Sequence, residues 1–255
     1  MIHKNEYPIL EFDDNKEAKI NPKQKFSREV QLSSNKLVIT FFKEVIQKLL
    51  KEGKIKEYRT LGGENDLVIY KYNDIDVLLI HGLVGCPATA GYLDALIGLG
   101  IEKVMFCGGG GILDNTIEVG ELLVVEGAIR DEGFSYHYIK PSRTIYSQKD
   151  VRKKICNYLN INKIKFREGL SWTTDCIYRE TDELIQYRKA EGATIVEMEQ
   201  SGCIAVSQFR GIQYGAILYS GDDVSKNSWD QRLSFSRNGI RYNLVQICME
   251  IVLSL

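Results

Sequence analysis

The stretch Thr194–Val224, TIVEMEQSGCIAVSQFRGIQYGAILYSGDDV, constrains the fold more than any other part of the chain. Thr194–Met198 is a short β-branched run and reads as a buried strand. Glu199–Phe209 carries small and apolar residues at helical spacing, among them Gly202, Ile204, Ala205, Val206 and Phe209. Gln213–Ser220 is a second apolar strand, ending at Gly221-Asp222-Asp223. A strand–helix–strand unit of this length reads as a right-handed βαβ crossover. That arrangement predicts that Glu197, Met198 and Glu199 share one carboxyl edge of a sheet with Asp222, the edge where open α/β sheets bind ligands.

An acid opening a helix has two readings. It can favour the positive end of the helix dipole, or it can serve a ligand, and for Glu199 both stand on the residues alone. The wider pattern separates them. Glu-Met-Glu followed by Asp222 after the next strand resembles the nucleoside phosphorylase superfamily, which also contains nucleoside hydrolases. The resemblance implies a three-layer α/β/α fold with a mixed central sheet. It implies that Glu199 binds the ribose hydroxyls, that Met198 lies against the sugar, and that Asp222 protonates a purine base. Glu197 is placed with them at the substrate.

Three further segments carry the same resemblance. His81-Gly82-Leu83-Val84-Gly85-Cys86-Pro87 is a Gly-rich turn from strand to helix, with Pro in the first helical turn. Such turns either pack tightly or offer backbone N–H groups to a ligand. The segment resembles the family's G-x-G-x-P-S, with Leu83 at the first Gly and Ala88 at the Ser, and it makes Gly85 a candidate substrate contact. Gly108-Gly109-Gly110-Gly111 follows the strand Lys103–Cys107 and costs backbone entropy, which suggests close approach of a ligand to the main chain. By resemblance this tract is a loop beneath base and sugar, so Gly108, Gly109 and Gly110 are expected at the substrate. Arg130–Tyr138 resembles the R-x-D-G-x-S-x-H-[FY] stretch of uridine phosphorylases, with Glu132 at the carboxylate position. His137 is the candidate substrate-binding histidine there, against a role bridging the loop.

Thr174-Asp175-Cys176-Ile177-Tyr178-Arg179-Glu180 resembles the S-[AD]-D-x-[FL]-Y segment that wraps the base. Ile177 stands where many relatives carry Phe, so Tyr178 is the expected stacking ring. Arg179 is either a contact to base or phosphate, or a surface partner of Glu180 or Glu183. Asp223 has two readings, a neighbour that raises the proton affinity of Asp222 and a solvated cap. His3 and His81 carry no motif.

The rest of the chain reads as an irregular lead-in over 1–34, a strand Lys36–Phe42 and a helix Phe42–Glu52. A hairpin of Leu67–Tyr72 and Ile75–Ile80 turning at Asn73-Asp74 follows, then a helix Pro87–Leu99. Strands are expected at Glu121–Ile129 and Ile164–Trp172, with a terminal amphipathic helix at Leu233–Leu255. With 255 residues, 44% of them hydrophobic, and only four Pro, one domain over 1–255 is expected. A net charge of −1 with dispersed Lys and Arg argues against nucleic acid or membrane as partner. Six cysteines without a C-x-x-C read as buried free thiols in a reducing compartment, with no metal site. No apolar leader or span is seen, so a cytoplasmic protein is expected.

Cleaving a nucleoside C1′–N bond needs a carboxylate that orients the sugar and favours its developing positive charge. It also needs an acid for the departing base. Glu199 and Asp222 fit these roles. Phosphorolytic relatives hold phosphate with a G-D-P-x-R loop and a second Arg, but here the first strand ends Thr40-Phe41-Phe42-Lys43 and the second Arg position is Phe106. Lys43, Arg130 or a partner subunit could supply the cation; otherwise water is the nucleophile. The reading is a nucleoside phosphorylase-type enzyme that cleaves the N-glycosidic bond of a purine or pyrimidine nucleoside, with phosphate as co-substrate and no cofactor, forming a homodimer or hexamer. A nucleosidase and a non-catalytic nucleoside-binding protein are the alternatives. The resemblance covers roughly Lys36 to Val224.

Overall fold

Alternation along each strand decides which face a side chain covers, and two faces are both apolar here. The computed structural model describes residues 2–25, 31–63 and 65–255. Its strands are β1 (Lys36–Thr40), β2 (Ile55–Leu61), β3 (Leu67–Tyr72), β4 (Leu78–His81), β5 (Lys103–Ile112), β6 (Leu122–Asp131), β7 (Thr144–Tyr146), β8 (Phe166–Thr174), β9 (Ala193–Glu197) and β10 (Gln213–Asp223). Its helices are α1 (Pro22–Lys25), α2 (Lys43–Lys51), α3 (Cys86–Gly98), α4 (Lys149–Ile161), α5 (Asp182–Ala190), α6 (Gln200–Arg210) and α7 (Asn238–Ser254).

All these strands join one mixed sheet. Leu37, Ile39, Val104, Phe106, Ala216 and Leu218 point to one side, where α3 and α6 cover them. Their alternates Val38, Met105, Cys107, Ile217 and Tyr219 point to the other side, under α2, α4 and α7. Two apolar faces require a helix layer on each, and the result is the three-layer α/β/α arrangement.

The expected right-handed βαβ crossover is corrected, because β9 and β10 run antiparallel to each other. β9 and β10 do not pair with each other. β9 runs parallel to β8 and antiparallel to the end of β5, while β10 runs parallel to β5 and antiparallel to β6. With β6 parallel to β8, the strands β5, β10, β6, β8 and β9 close into a ring, and β1, β4, β3 and β2 extend from β5 as an open wing. Strand periodicity reports burial but not neighbours. A ten-residue β5 is long enough to pair with β1 along its first part and with β9 at its end, while β10 runs beside nearly all of it.

Other differences have local causes. The glycine tract is not a loop; it lies inside β5. The second hairpin strand begins at Leu78, after a turn wider than Asn73-Asp74. β2 (IKEYRTL) has its middle residues exposed or half-buried, so its pattern is faint. α5 is capped by the Thr181 side chain, which accepts from the Leu184 N–H, a start signal hidden among charged residues. α7 begins at Asn238, five residues after the expected start, because Trp229–Arg237 forms a separate segment. Among its described residues the lead-in holds a turn at Pro8–Leu10 and α1; its residues 1 and 26–30 lie outside the described ones. Four cysteines are buried free thiols, Cys156 is half-buried, and Cys176 is exposed, against expectation. Among the described residues no helix is long and apolar enough to cross a membrane.

Candidate active site

The site forms where two strand ends reach the glycine tract from opposite directions. β9 descends along the end of β5, with Val196 opposite Gly111. β10 ascends along it, with Ser220 opposite Gly110. Glu197-Met198-Glu199 and Gly221-Asp222 therefore meet over Gly109–Gly111. Glycine is required by this crowding: a Cβ on Gly110 would lie 2.4 Å from the Val196 carbonyl oxygen, and one on Gly109 2.7 Å from the Tyr219 ring. The three segments line a cavity of about 560 Å³ together with Gly108, Ile177, Tyr178 and Trp229.

Glu197 and Glu199 are both buried, and their surroundings differ. Glu197 Oε1 accepts from Ser171 Oγ at 2.9 Å and from Thr173 Oγ1, and its Oε2 accepts the N–H groups of Glu199 and Gln200 at 2.6 and 2.7 Å. It therefore caps the start of α6. Burial pushes its acidity toward the protonated form, but four donors and a helix N-terminus hold the anion. Glu199 accepts a single bond, from Gly85 N–H to Oε1 at 2.7 Å, and the carboxyl lines the cavity. Burial, and then the charge of Glu197, pushes Glu199 up to about 8. Hydroxyl donors from a bound sugar would favour its anion.

Across the glycines, Asp222 Oδ2 accepts the indole N–H of Trp229 at 2.6 Å. Glu180 lines the same cavity; burial first, and the Asp222 charge second, push it up to about 7. Asp223 does not share the cavity. It is fully buried, with Oδ1 accepting from Ser225 N–H at 2.9 Å and Oγ at 2.6 Å, and Oδ2 lying 3.3 Å from Arg232 and 3.4 Å from Lys226. Burial works against its charge, but these partners outweigh it and hold Asp223 below the usual carboxylate range. It anchors the segment after β10, and the reading of it as a solvated cap does not hold.

The positions where the resemblance led us to expect phosphate-binding arginines are apolar. Phe41 and Phe106 pack against each other in a tilted pair with ring centroids 5.2 Å apart, and both line the cavity with Phe42. The cavity's cations come from late in the chain. Arg241 donates to Glu44 at 2.7 Å and to the Tyr219 hydroxyl at 2.9 Å, Lys226 pairs with Asp223 and Asp230, and Arg237 donates to the Gln231 carbonyl. Among the described residues Arg237 has no carboxylate partner.

Of the residues singled out from sequence, Glu197, Met198, Glu199, Gly108, Gly109, Gly110, Tyr178 and Asp222 line the cavity. Tyr178 stands at its mouth, almost wholly exposed. Gly85, Arg179 and His137 do not line it. The Gly85 N–H is spent on Glu199, Arg179 is exposed and makes no ion pair among the described residues, and His137 is exposed on the loop that Arg130 ties together. Arg130 is no phosphate ligand here: it is buried and donates to Ser135, Ile139, Lys140 and Ser142, knotting residues 130–142 together. Glu132 completes the knot by accepting from the Phe134 and Ser135 N–H groups. Glu180, Trp229, Phe42, Arg237 and Arg241 were not foreseen as site residues. Only Phe41-Phe42, lying where a phosphate loop is missing, had a readable signal.

Comparison with known proteins gives the family and the fold. A family model described as the phosphorylase superfamily matches residues 36–241. A guanosine phosphorylase of Halorubrum lacusprofundi is 26% identical over 174 residues, 66% of this chain and 72% of that protein. The crystal structure of a uridine phosphorylase from Vibrio fischeri superposes with a TM-score of 0.72 at 20% identity, covering 90% of this chain and 100% of that one. An AMP nucleosidase from Bacteroides thetaiotaomicron superposes with a TM-score of 0.72 at 17% identity, covering 91% and 95%. The two structural likenesses speak to the fold.

Proposed function

The chain belongs to the phosphorylase superfamily, and on that premise we propose that it is an enzyme cleaving the N-glycosidic bond of a purine nucleoside, with inorganic phosphate as acceptor. The observation that carries this reading is the placement of Glu199 and Asp222 in one cavity that the glycine tract Gly108–Gly111 also lines. Glu199 would hold the ribose hydroxyls and favour the cation that develops at C1′. Met198 would form the floor under the sugar. Asp222 would donate to the departing base, its Oδ2 already satisfied by Trp229 so that Oδ1 is the atom left to carry a proton.

Arg237 and Arg241 supply positive charge to the cavity, which supports phosphate as the nucleophile. Water is the second reading, and the Phe41–Phe106 pair favours it, because two aromatic rings stand where cations that would neutralise a dianion were expected.

The test is base release from inosine, adenosine, guanosine and uridine, each with and without phosphate. Cleavage that needs phosphate and yields ribose 1-phosphate is the expected result. Cleavage indifferent to phosphate would make the protein a nucleosidase, and nucleoside binding without cleavage would overturn the enzymatic reading.

A further inference from the structure

Asp222 and Asp223 are adjacent at the end of β10 and have opposite surroundings. Asp222 lines the cavity, its Oδ2 beside Gly111 and bonded to the Trp229 indole N–H at 2.6 Å. Asp223 is fully buried and lies outside the cavity. Trp229 has little packing of its own to hold it, since its side is largely exposed. The segment that carries it does the holding. Asp223 N–H donates to the Asp230 carbonyl at 2.9 Å and Asp230 N–H returns a bond to the Asp223 carbonyl at 3.0 Å, so a closed loop sets Trp229 next to its closure. Inside that closure the Asp223 carboxylate accepts from Ser225 Oγ at 2.6 Å and from Arg232 Nη2 at 3.3 Å. Arg232 ties the loop outward, donating to the Ile117 carbonyl at 3.0 Å, and its N–H donates to Asp230 Oδ1 at 2.9 Å. Two features of Arg232 are unfavourable. Its φ of +49° is left-handed for a residue with a side chain, and its buried Nη1 has no hydrogen-bond partner among the described residues. Strain of this kind persists only where the surroundings over-determine it, and it gathers at functional sites.

We propose that residues 223–232 are a clamp that fixes the Trp229 indole on Asp222, with Trp229, Asp223 and Arg232 as positioning residues, the last two acting from outside the cavity. This rests on the glycosidic-bond reading above. As the C1′–N bond breaks, its electron pair passes into the base, which takes the proton from Asp222 Oδ1. The carboxyl becomes a carboxylate, and the indole N–H already on Oδ2 meets the new charge. A hydrogen bond to a charged acceptor is roughly twice as strong as one to a neutral acceptor. The contact therefore strengthens on the way to the transition state, which is the kind of interaction that raises kcat. After the base leaves, Asp222 regains its proton from water. The clamp matters for a leaving group that must be protonated, such as a purine. It matters less for a nitrophenyl group, which departs as a stable anion.

Two measurements on the full chain test it. With isotope-labelled tryptophan, NMR spectra show two indole N–H signals, from Trp172 and Trp229, and the one lost in Trp229→Phe is thereby identified. The Trp229 signal should lie downfield of a free indole and move toward the free position in Asp222→Ala. Arg232→Gln alters a side chain outside the cavity and should move it the same way. The Trp172 signal should stay in place, because its N–H is held separately by Asp131 at 3.0 Å. Asp223→Asn, closer in shape, weakens the same closure and repeats the test should Arg232→Gln not fold. A Trp229 signal that neither variant moves would overturn the clamp. In kinetics, Trp229→Phe keeps a ring but has no N–H, and should lower kcat for inosine about tenfold, the scale of one hydrogen bond to a charged group, with a smaller change in KM. The loss should be smaller on a nitrophenyl riboside, which needs no acid. Equal losses on both substrates would overturn the role in proton transfer. The spectra need no turnover, so a wild type that cleaved no nucleoside would overturn the glycosidic reading while the indole signals still decided the clamp.

Discussion

Glu199 is held by one backbone donor in a buried cavity, and so its carboxyl has bonding capacity to spare for a ligand. Replacing it with Ala should reduce kcat/KM by about 100-fold or more, the scale of losing one transition-state contact; a wild-type-like rate would remove Glu199 from the mechanism. Asp222→Asn keeps the acceptor for Trp229 but cannot donate an acid proton. It should harm inosine more than uridine, and steady-state rates on the two substrates decide the point. Glu197 is a different kind of residue despite lying two positions away. Its four donors come from Ser171, Thr173 and the start of α6. Its place is in holding the turn that aims Glu199, and Glu197→Gln should lower thermal stability as well as activity.

At the scale of elements, β5 organises the site because β10 pairs along nearly its whole length, β1 pairs with Lys103–Cys107, and β9 pairs with Gly111 and Ile112. The glycine tract is the price of that triple contact. Gly110→Ala would drive a methyl into the Val196 carbonyl, and either β9 or β5 must shift. We expect a loss of stability on the scale of overpacking, about 1–3 kcal/mol, with activity falling further because Glu199 moves with β9. Chemical denaturation and turnover of this variant test both parts. The loop that follows β6 behaves otherwise. Its Arg-Asp-Glu-Gly-Phe-Ser run resembles a substrate-binding motif, yet Arg130 spends its guanidinium on four oxygens of its own loop.

For the whole molecule, the buried Glu199 couples folding to pH. Its affinity for a proton is raised in the folded state, so the folded chain binds more protons than the unfolded one between about 4.5 and about 8. Stability contributed by the neutral form is thus fully present below the unfolded value and is lost as pH rises through that window. The Tm should fall from pH 5 to pH 8, and Glu199→Gln should flatten the slope; an unchanged slope would show that Glu199 does not titrate there. A homodimer or larger homo-oligomer remains the proposal for assembly, and sedimentation velocity on the full chain would decide it.

What could be read without the structure were the local relations. The spacing of Glu199, its helix and Asp222, the alternation of β1 and β10, and the glycines after Cys107 all depend on neighbours close along the chain, where periodicity and turn chemistry act. Strand order is not local. The crossover of β9 and β10 reads the same whether they pair directly or through β5, and only packing of the closed ring chose the second. The same holds for charge. Glu180 is an ordinary surface-like acid in sequence, beside an arginine, and Trp229 a residue in a polar turn. Their character comes from folding, which brings the indole to Asp222 Oδ2 and sets the Glu180 carboxyl in a low-dielectric cavity under the Asp222 charge. Desolvation and Coulomb interaction act through space between groups far apart in the chain, so those residues acquired their chemistry only from the tertiary structure.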